Sequence, residues 1–211
     1  EEIRDLTQSE LEIFTHVLRQ ALRGGGFGFS TGLGYSQEAH VPYSELKQLV
    51  GITARAGKVY ATHLRNEKER ILEAVSETVR IAQETGAKTM ISHLRPLRGF
   101  ETQFQTTLEL IEKNLVNANI AMDVSPFPFS NVPVYWLLPG SMKNGGTEIM
   151  VTYFNDESSR AEIRNALIAL PLAEAVITEA SNQEVLIGKT VRELAESRGK
   201  EPADIVLDLM E

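Results

Sequence analysis

Apolar residues follow two alternating rhythms along this chain. Leu11, Phe14, Val17, Leu18 and Leu22 recur at three- and four-residue spacing, the period of one helix face. Thr7 or Ser9 can cap that helix, and Gly24–Gly26 ends it. Phe27–Ser30 then reads as a short strand. A second helix, capped by Ser44, carries Leu46, Leu49, Val50 and Thr53 on one face and ends at Gly57, before a strand at Val59–His63. A third holds Ile71, Leu72, Val75, Val79 and Ala82, stops at Gly86, and leads into a strand at Thr89–His93. A fourth runs through Phe104, Leu108, Ile111 and Leu115 to the strand Ile120–Val124.

Strand–helix units of about 30 residues predict parallel strands joined by crossover helices, and so an α/β protein. Runs such as Thr89-Met90-Ile91-Ser92 are uncharged, which predicts strands covered on both faces. Periodicity does not choose between a (β/α)₈ barrel and an open doubly wound sheet. Four clear strands are too few to close a barrel of eight. Past Asp123 the character changes. Ser125-Pro126-Phe127-Pro128-Phe129-Ser130-Asn131 is a loop unsuited to regular structure. A short aromatic helix is expected at Val134–Leu138, closed by Pro139-Gly140, and a break at Gly145-Gly146. A helix near Ser158–Leu170, a strand at Ala175–Thr178 and two short helices follow, the last with Pro202 in its first turn. The chain is read as one partial domain over 1–211. Regular units fill 1–125 and a mostly helical continuation fills 126–211, with a separate small domain as the other arrangement.

Composition narrows the partners. The 211 residues are 42% apolar, enough for a core. A net charge of −8 with interspersed signs argues against nucleic acid or an anionic membrane as the main partner. No apolar run approaches the roughly 18 residues of a membrane span. There is no cysteine, which excludes disulfides and thiolate metal sites, and a cytosolic address is expected. Glu1 in place of a Met and Glu211 within a helical pattern read as cut ends.

The candidate chemistry lies in a repeat. Thr62-His63-Leu64-Arg65 returns as Ser92-His93-Leu94-Arg95, each at the carboxyl end of an expected strand, with the histidines 30 residues apart. Parallel strands lie about 4.8 Å apart. Equal register would set the imidazoles side by side at the face where α/β barrels keep their active sites. Two neutral imidazoles there could share one zinc through bonds of about 2.0–2.1 Å. The plainer alternative makes each a hydrogen-bonded strand-end residue. His16, within the first helix, and His40, in a loop, read as structural or solvated. Gly24–Gly28 follows a helix and precedes a strand, the reverse of a dinucleotide fingerprint, and is a helix stop. Ser30 and Thr31 head a glycine-rich loop without a Gly-x-Ser-x-Gly elbow, so a serine nucleophile has little support. Asp123, at the next strand end, is placed to bind a metal, to orient a ligand or to accept from loop amides.

Four blocks carry a family resemblance: Gly26-Phe27-Gly28-Phe29-Ser30-Thr31-Gly32-Leu33-Gly34-Tyr35, Tyr60-Ala61-Thr62-His63-Leu64-Arg65-Asn66-Glu67, Ile91-Ser92-His93-Leu94 and Asp123-Val124-Ser125-Pro126-Phe127. In this order, with a later stretch from Leu186-Ile187-Gly188-Lys189-Thr190-Val191 to Asp208-Leu209, the chain resembles the D-aminoacylases. These are the N-acyl-D-amino-acid deacylases of the amidohydrolase superfamily. The resemblance implies a metal-dependent (β/α)₈ barrel with a small β-sandwich made from the two chain ends. It also implies that His63 and His93 are zinc ligands from adjacent strands and that Tyr35 lines the substrate pocket. Arg95 stands where the family has a lysine that holds the substrate carboxylate, and arginine keeps the charge in a forked form. Ser125 and Phe127 replace the family's tyrosines around the proline, which changes two hydroxyl contacts to substrate.

The family's His-x-His pair, bridging cysteine and metal-binding aspartate have no counterpart in these residues. No general base can therefore be assigned within the chain. The expected whole is an incomplete TIM-type barrel of four to five parallel strands with a mostly helical C-terminal part. Its parent would hydrolyse the amide bond of N-acyl-D-amino acids with metal-activated water, while these residues alone would be inactive and hold zinc weakly or not at all. Two alternatives stand beside this. One is a non-catalytic α/β module binding a small carboxylate or a protein through its strand-end loops. The other is a related amidohydrolase acting on cyclic amides. Unpaired sheet edges invite a homodimer.

Overall fold

The computed structural model describes residues 4–35, 38–127, 129–142 and 146–210, in two compact units, 2–128 and 129–211. The boundary falls in the Pro/aromatic loop. Pro128 of that loop and Gly145 of the expected break lie outside the described residues.

The first unit alternates helix and strand: α1 Gln8–Arg23, β1 Gly28–Gly32, α2 Tyr43–Arg55, β2 Val59–His63, α3 Ile71–Thr85, β3 Lys88–Ile91, α4 Glu101–Asn114 and β4 Ile120–Met122. Thr7 caps α1 in a capping box with Glu10, each side chain satisfying an amide that the helix leaves open. The second helix begins earlier than its expected Ser44 cap. Pro42, with φ fixed at −64°, sets the entry, and Ser44 lies inside the helix. Gly86 closes α3 in the left-handed conformation that glycine adopts without penalty.

All three strand pairings are parallel, in the order β1-β2-β3-β4. A doubly wound sheet reverses its order at a switch point, whereas this one runs in sequence, as barrel strands do. Burial alternates across it. Tyr60, Thr62, Thr89 and Ile91 are buried, while Ala61, His63 and Met90 are only half-buried. Tyr60 packs with Leu46, Val50 and Ile81, and Ile91 with Ile71, Val75 and Ile111, all from the crossover helices. The expectation of strands covered on both faces is therefore corrected: the helices cover one face, and the short uncharged runs reflect that face and the small residues opposite. In α1, Leu11 and Leu22 are buried, but Phe14 and Val17 of the same apolar series stay more than half exposed.

The second unit is helical: short 3₁₀ turns at Val134–Leu137 and Gly140–Met142, then α5 Gly146–Phe154, α6 Glu157–Ile168, α7 Val191–Arg198 and α8 Pro202–Met210. Its core joins Ile163 and Leu167 to Leu194, Ile205 and Val206. Arg164 ties α6 to α8 through a bidentate pair with Asp204 at 2.6 and 3.0 Å. The strand expected at Ala175–Thr178 is a single antiparallel bridge, Val176 to Thr190. Sharp turns on either side, marked by Pro171 before a 3₁₀ turn and Gly188 at φ 83°, leave no length for a ladder. Helix α5 was not expected, because its apolar residues surround the axis without a clear stripe.

Gly28 shows how closely β1 and β2 approach. A Cβ at this position would lie 1.9 Å from the carbonyl oxygen of Val59, a backbone atom that cannot swing aside. Gly28→Ala is expected to destabilise the first unit by about 1–3 kcal/mol, the range of overpacking changes, measured by urea unfolding. A stability within about 0.5 kcal/mol of the parent would contradict this register.

Candidate metal centre

His63 is the last residue of β2, paired in register with Gly32 of β1. On its other side Thr62 is level with Ile91, and the Ser92 N–H donates to the Thr62 carbonyl at 3.0 Å. His63 is therefore level with Ser92, not His93. The equal register expected from the repeat is off by one residue. Continued alternation would turn His93 away from His63. Instead the backbone leaves the ladder there, with φ at 43°. A left-handed backbone at a non-glycine residue costs on the order of 1–3 kcal/mol and persists only where surroundings enforce it. Asp123 supplies part of that enforcement. Its carboxylate accepts the His93 N–H, and its carbonyl accepts the Leu94 N–H at 2.9 Å.

The outcome is a facing pair of rings. His63 Nδ1 and His93 Nε2 lie 2.9 Å apart, with centroids at 4.7 Å. Behind His93, its Nδ1 meets Glu67 Oε1 at 3.1 Å. Ligand atoms of His63, Glu67 and His93 all fall within 4.8 Å of one another. Asn66 shapes the loop that carries Glu67, its side-chain oxygen accepting the N–H groups of Lys68 and Arg70 at 2.9 and 3.0 Å.

The loop after β1 forms the other wall. Tyr35 stacks on His63 with centroids 5.2 Å apart. Arg65 holds this loop, donating to the carbonyls of Ala39 and Val41 while pairing through two nitrogens with Glu77 of α3. The repeated Arg65 and Arg95 thus part ways. Arg65 is spent on structure, while the buried Nε of Arg95 has no hydrogen-bond partner among the described residues. Burial pushes the His63 imidazole below its ordinary range, and the nearby His93 and Arg95 push the same way, against Glu67 and Glu38. His63 is therefore neutral near pH 7, the form that offers a lone pair.

Two nitrogens bonded to one tetrahedral zinc at about 2.0–2.1 Å lie roughly 3.4 Å apart. The observed 2.9 Å suits a shared ion after a small opening of the rings. The donor set fits such an ion, though two nitrogens fall short of the three protein ligands of most catalytic zinc sites. Of the expected residues, His63, His93 and Tyr35 come together, and Arg95 is close enough to act on the charge of His63. Asp123 is an acceptor for loop amides, one of the roles expected of it. His16 and His40 stand outside the group, and Thr31 is engaged with Tyr60 and Thr62. Glu67 escaped notice as a functional residue. Its signal was a carboxylate four residues beyond a strand-end histidine, within reach of the next strand's rim.

A parallel sheet wound in sequence, with helices on one face and a histidine pair at its carboxyl rim, is the layout of successive units of a (β/α) barrel. No family model matches the chain. It is similar to the N-acyl-D-aspartate deacylase of Alcaligenes xylosoxydans xylosoxydans, 31% identical over 128 residues, which are 59% of this chain and 26% of that protein. It is also similar to the D-aminoacylase of that organism, 30% identical over 127 residues, again 59% of this chain and 26% of the relative. The chain thus spans about a quarter of the curated relatives it matches. Among solved structures, the N-acyl-D-glutamate deacylase of Bordetella bronchiseptica, complexed with zinc and a phosphonate inhibitor, superposes with a TM-score of 0.75 at 22% identity, over 98% of this chain and 38% of that one. A D-aminoacylase described as defining a novel subset of amidohydrolases gives 0.70 at 25% identity, over 98% and 37%. Over the region it shares with them, the chain matches the D-aminoacylases.

Gly34 keeps the His63 ring in place by having no side chain. A Cβ there would lie 2.3 Å from His63 Nε2 and 2.9 Å from the Leu64 carbonyl oxygen. Gly34→Ala is expected to push the imidazole aside, abolishing the nuclear Overhauser contact between the rings of residues 63 and 93 while circular dichroism stays unchanged. Retention of the contact would contradict the geometry described.

Proposed function

We propose that this chain forms part of the active site of a metal-dependent amidohydrolase that cleaves the amide bond of N-acyl-D-amino acids. The observation that carries the reading is the facing pair of His63 Nδ1 and His93 Nε2, 2.9 Å apart at the carboxyl rim of a parallel sheet. Similarity to deacylases of N-acylated D-amino acids supports the substrate class. A bound zinc would polarise an acyl carbonyl and make water nucleophilic near neutral pH.

The chain's own residues have the following parts. His63 and His93 would hold the ion. Tyr35, stacked on His63 and 38% exposed, walls one side of the open strand-end face. Arg95, whose charge acts on His63, supplies the positive charge for the substrate carboxylate. Ser125 and Phe127 bring one hydroxyl and one bare ring to the loop after β4, so side-chain preference is expected to differ from that of enzymes with tyrosines there. No described residue is assigned as general base. With two nitrogen ligands, the 211 residues by themselves are expected to bind zinc weakly and to show no deacylase activity.

The test is a pair of measurements. Zinc titration of the chain should give weak binding that His63→Ala and His93→Ala each abolish. In a protein carrying this segment within a whole barrel, hydrolysis of N-acyl-D-amino acids should fall by at least about 10³-fold in the same variants, the loss expected when a metal ligand of the reacting centre is removed. Arg95→Ala should raise KM more than it lowers kcat, because it removes binding shared by ground and transition states. Full activity in His63→Ala would refute the reading.

A further inference from the structure

The two rings face each other through His63 Nδ1 and His93 Nε2, and this contact leaves open which nitrogen of His93 carries its proton. A neutral imidazole has one N–H and one lone pair, and only the lone pair can bind an ion. If the proton were on Nε2, it would point at His63 and block the site.

Two carboxylates grip His93 from different ends. Asp123 accepts its backbone N–H, and Glu67 Oε1 lies 3.1 Å from its ring Nδ1. The Glu67 side chain is only 12% exposed, although the residues that follow it, 68–70, are exposed. Its carboxylate is held in place by the turn that Asn66 organises. An ionised carboxylate only accepts, so the nitrogen facing it must be the one that donates. The two nitrogens of an imidazole point away from each other. An ion held by His63 Nδ1 and His93 Nε2 would therefore have His93 between itself and Glu67.

We propose that Glu67 is a positioning residue that holds His93 as its Nδ1–H tautomer, so that in the metal-free protein Nε2 accepts the Nδ1–H of His63, and loss of that one proton would leave both facing nitrogens with lone pairs. Glu67 supports the metal from behind a ligand and is not itself bonded to the metal. The inference deepens the metal-centre reading but concerns the metal-free protein, where it can be read without any ion.

The experiment is long-range proton–nitrogen correlation on the ¹⁵N-labelled 211-residue chain, metal-free at neutral pH. The parent should show His93 with the proton on Nδ1 alone. Glu67→Ala removes the acceptor, and Glu67→Gln offers both a donor and an acceptor from nearly the same volume. Both should show a mixture of tautomers, with backbone amide signals outside residues 64–70 unchanged. Zinc titration followed on the same signals should give affinities about 10- to 100-fold weaker in both variants, the usual effect of losing such a support. A parent His93 protonated on Nε2 overturns the proposal. Variants that keep the parent tautomer overturn it as well, and if they also lose zinc, Glu67 is a direct ligand. A parent with the expected tautomer that takes up no zinc upholds the role of Glu67 and removes only the metal reading.

Discussion

Parallel pairing holds neighbouring strand ends about 4.8 Å apart, and the site depends on how the chain departs from that pairing at one residue. His63 ends β2 within the ladder, but His93 lies one position past the residue level with it. The left-handed turn at His93 converts that offset into a ring-to-ring contact. Asp123 from the end of β4 and Glu67 from the loop after β2 then hold the backbone and the ring of the same residue. Three consecutive strand ends thus converge on one residue, His93.

The layout of the first unit explains why that convergence lies off its packed face. Crossover helices bury the side of the sheet that carries Tyr60, Thr62, Thr89 and Ile91, and the chain packs its apolar bulk there. The opposite side bears small or half-buried residues, and at its carboxyl rim lie the histidines and Tyr35. One face carries the packed core and the rim carries the histidine pair, the division that α/β barrels show between stability and active site. The two arginines of the repeated tetrapeptide differ, since Arg65 locks a loop to α3 while the buried Nε of Arg95 has no hydrogen-bond partner among the described residues.

Much of this was readable from the residues. The 3.6-residue rhythm of Leu46, Leu49 and Val50, or of Ile71, Val75 and Val79, located helices well because their buried faces are continuous. The repeat around His63 and His93 located the facing ring pair because strand ends are where such a pair can meet. The register could not be read. Similar tetrapeptides suggest equal positions, yet hydrogen bonding sets Thr62 against Ile91, and no local signal reveals a one-residue shift. Glu67 was legible only as part of a motif, since its role depends on a loop conformation set by Asn66. In the second unit, α5 lacks a polar face and the bridge at Val176 is too short for an alternating pattern, so periodicity had nothing to detect.

The shared-ion geometry is tested most directly by crystals of the chain grown with zinc, with anomalous differences recorded on both sides of the zinc edge. One peak bonded to Nδ1 of residue 63 and Nε2 of residue 93, with the carboxylate of residue 67 still on the far nitrogen of the second ring, is the predicted result. Rings found apart, or zinc bound through any other pair of atoms, would contradict it.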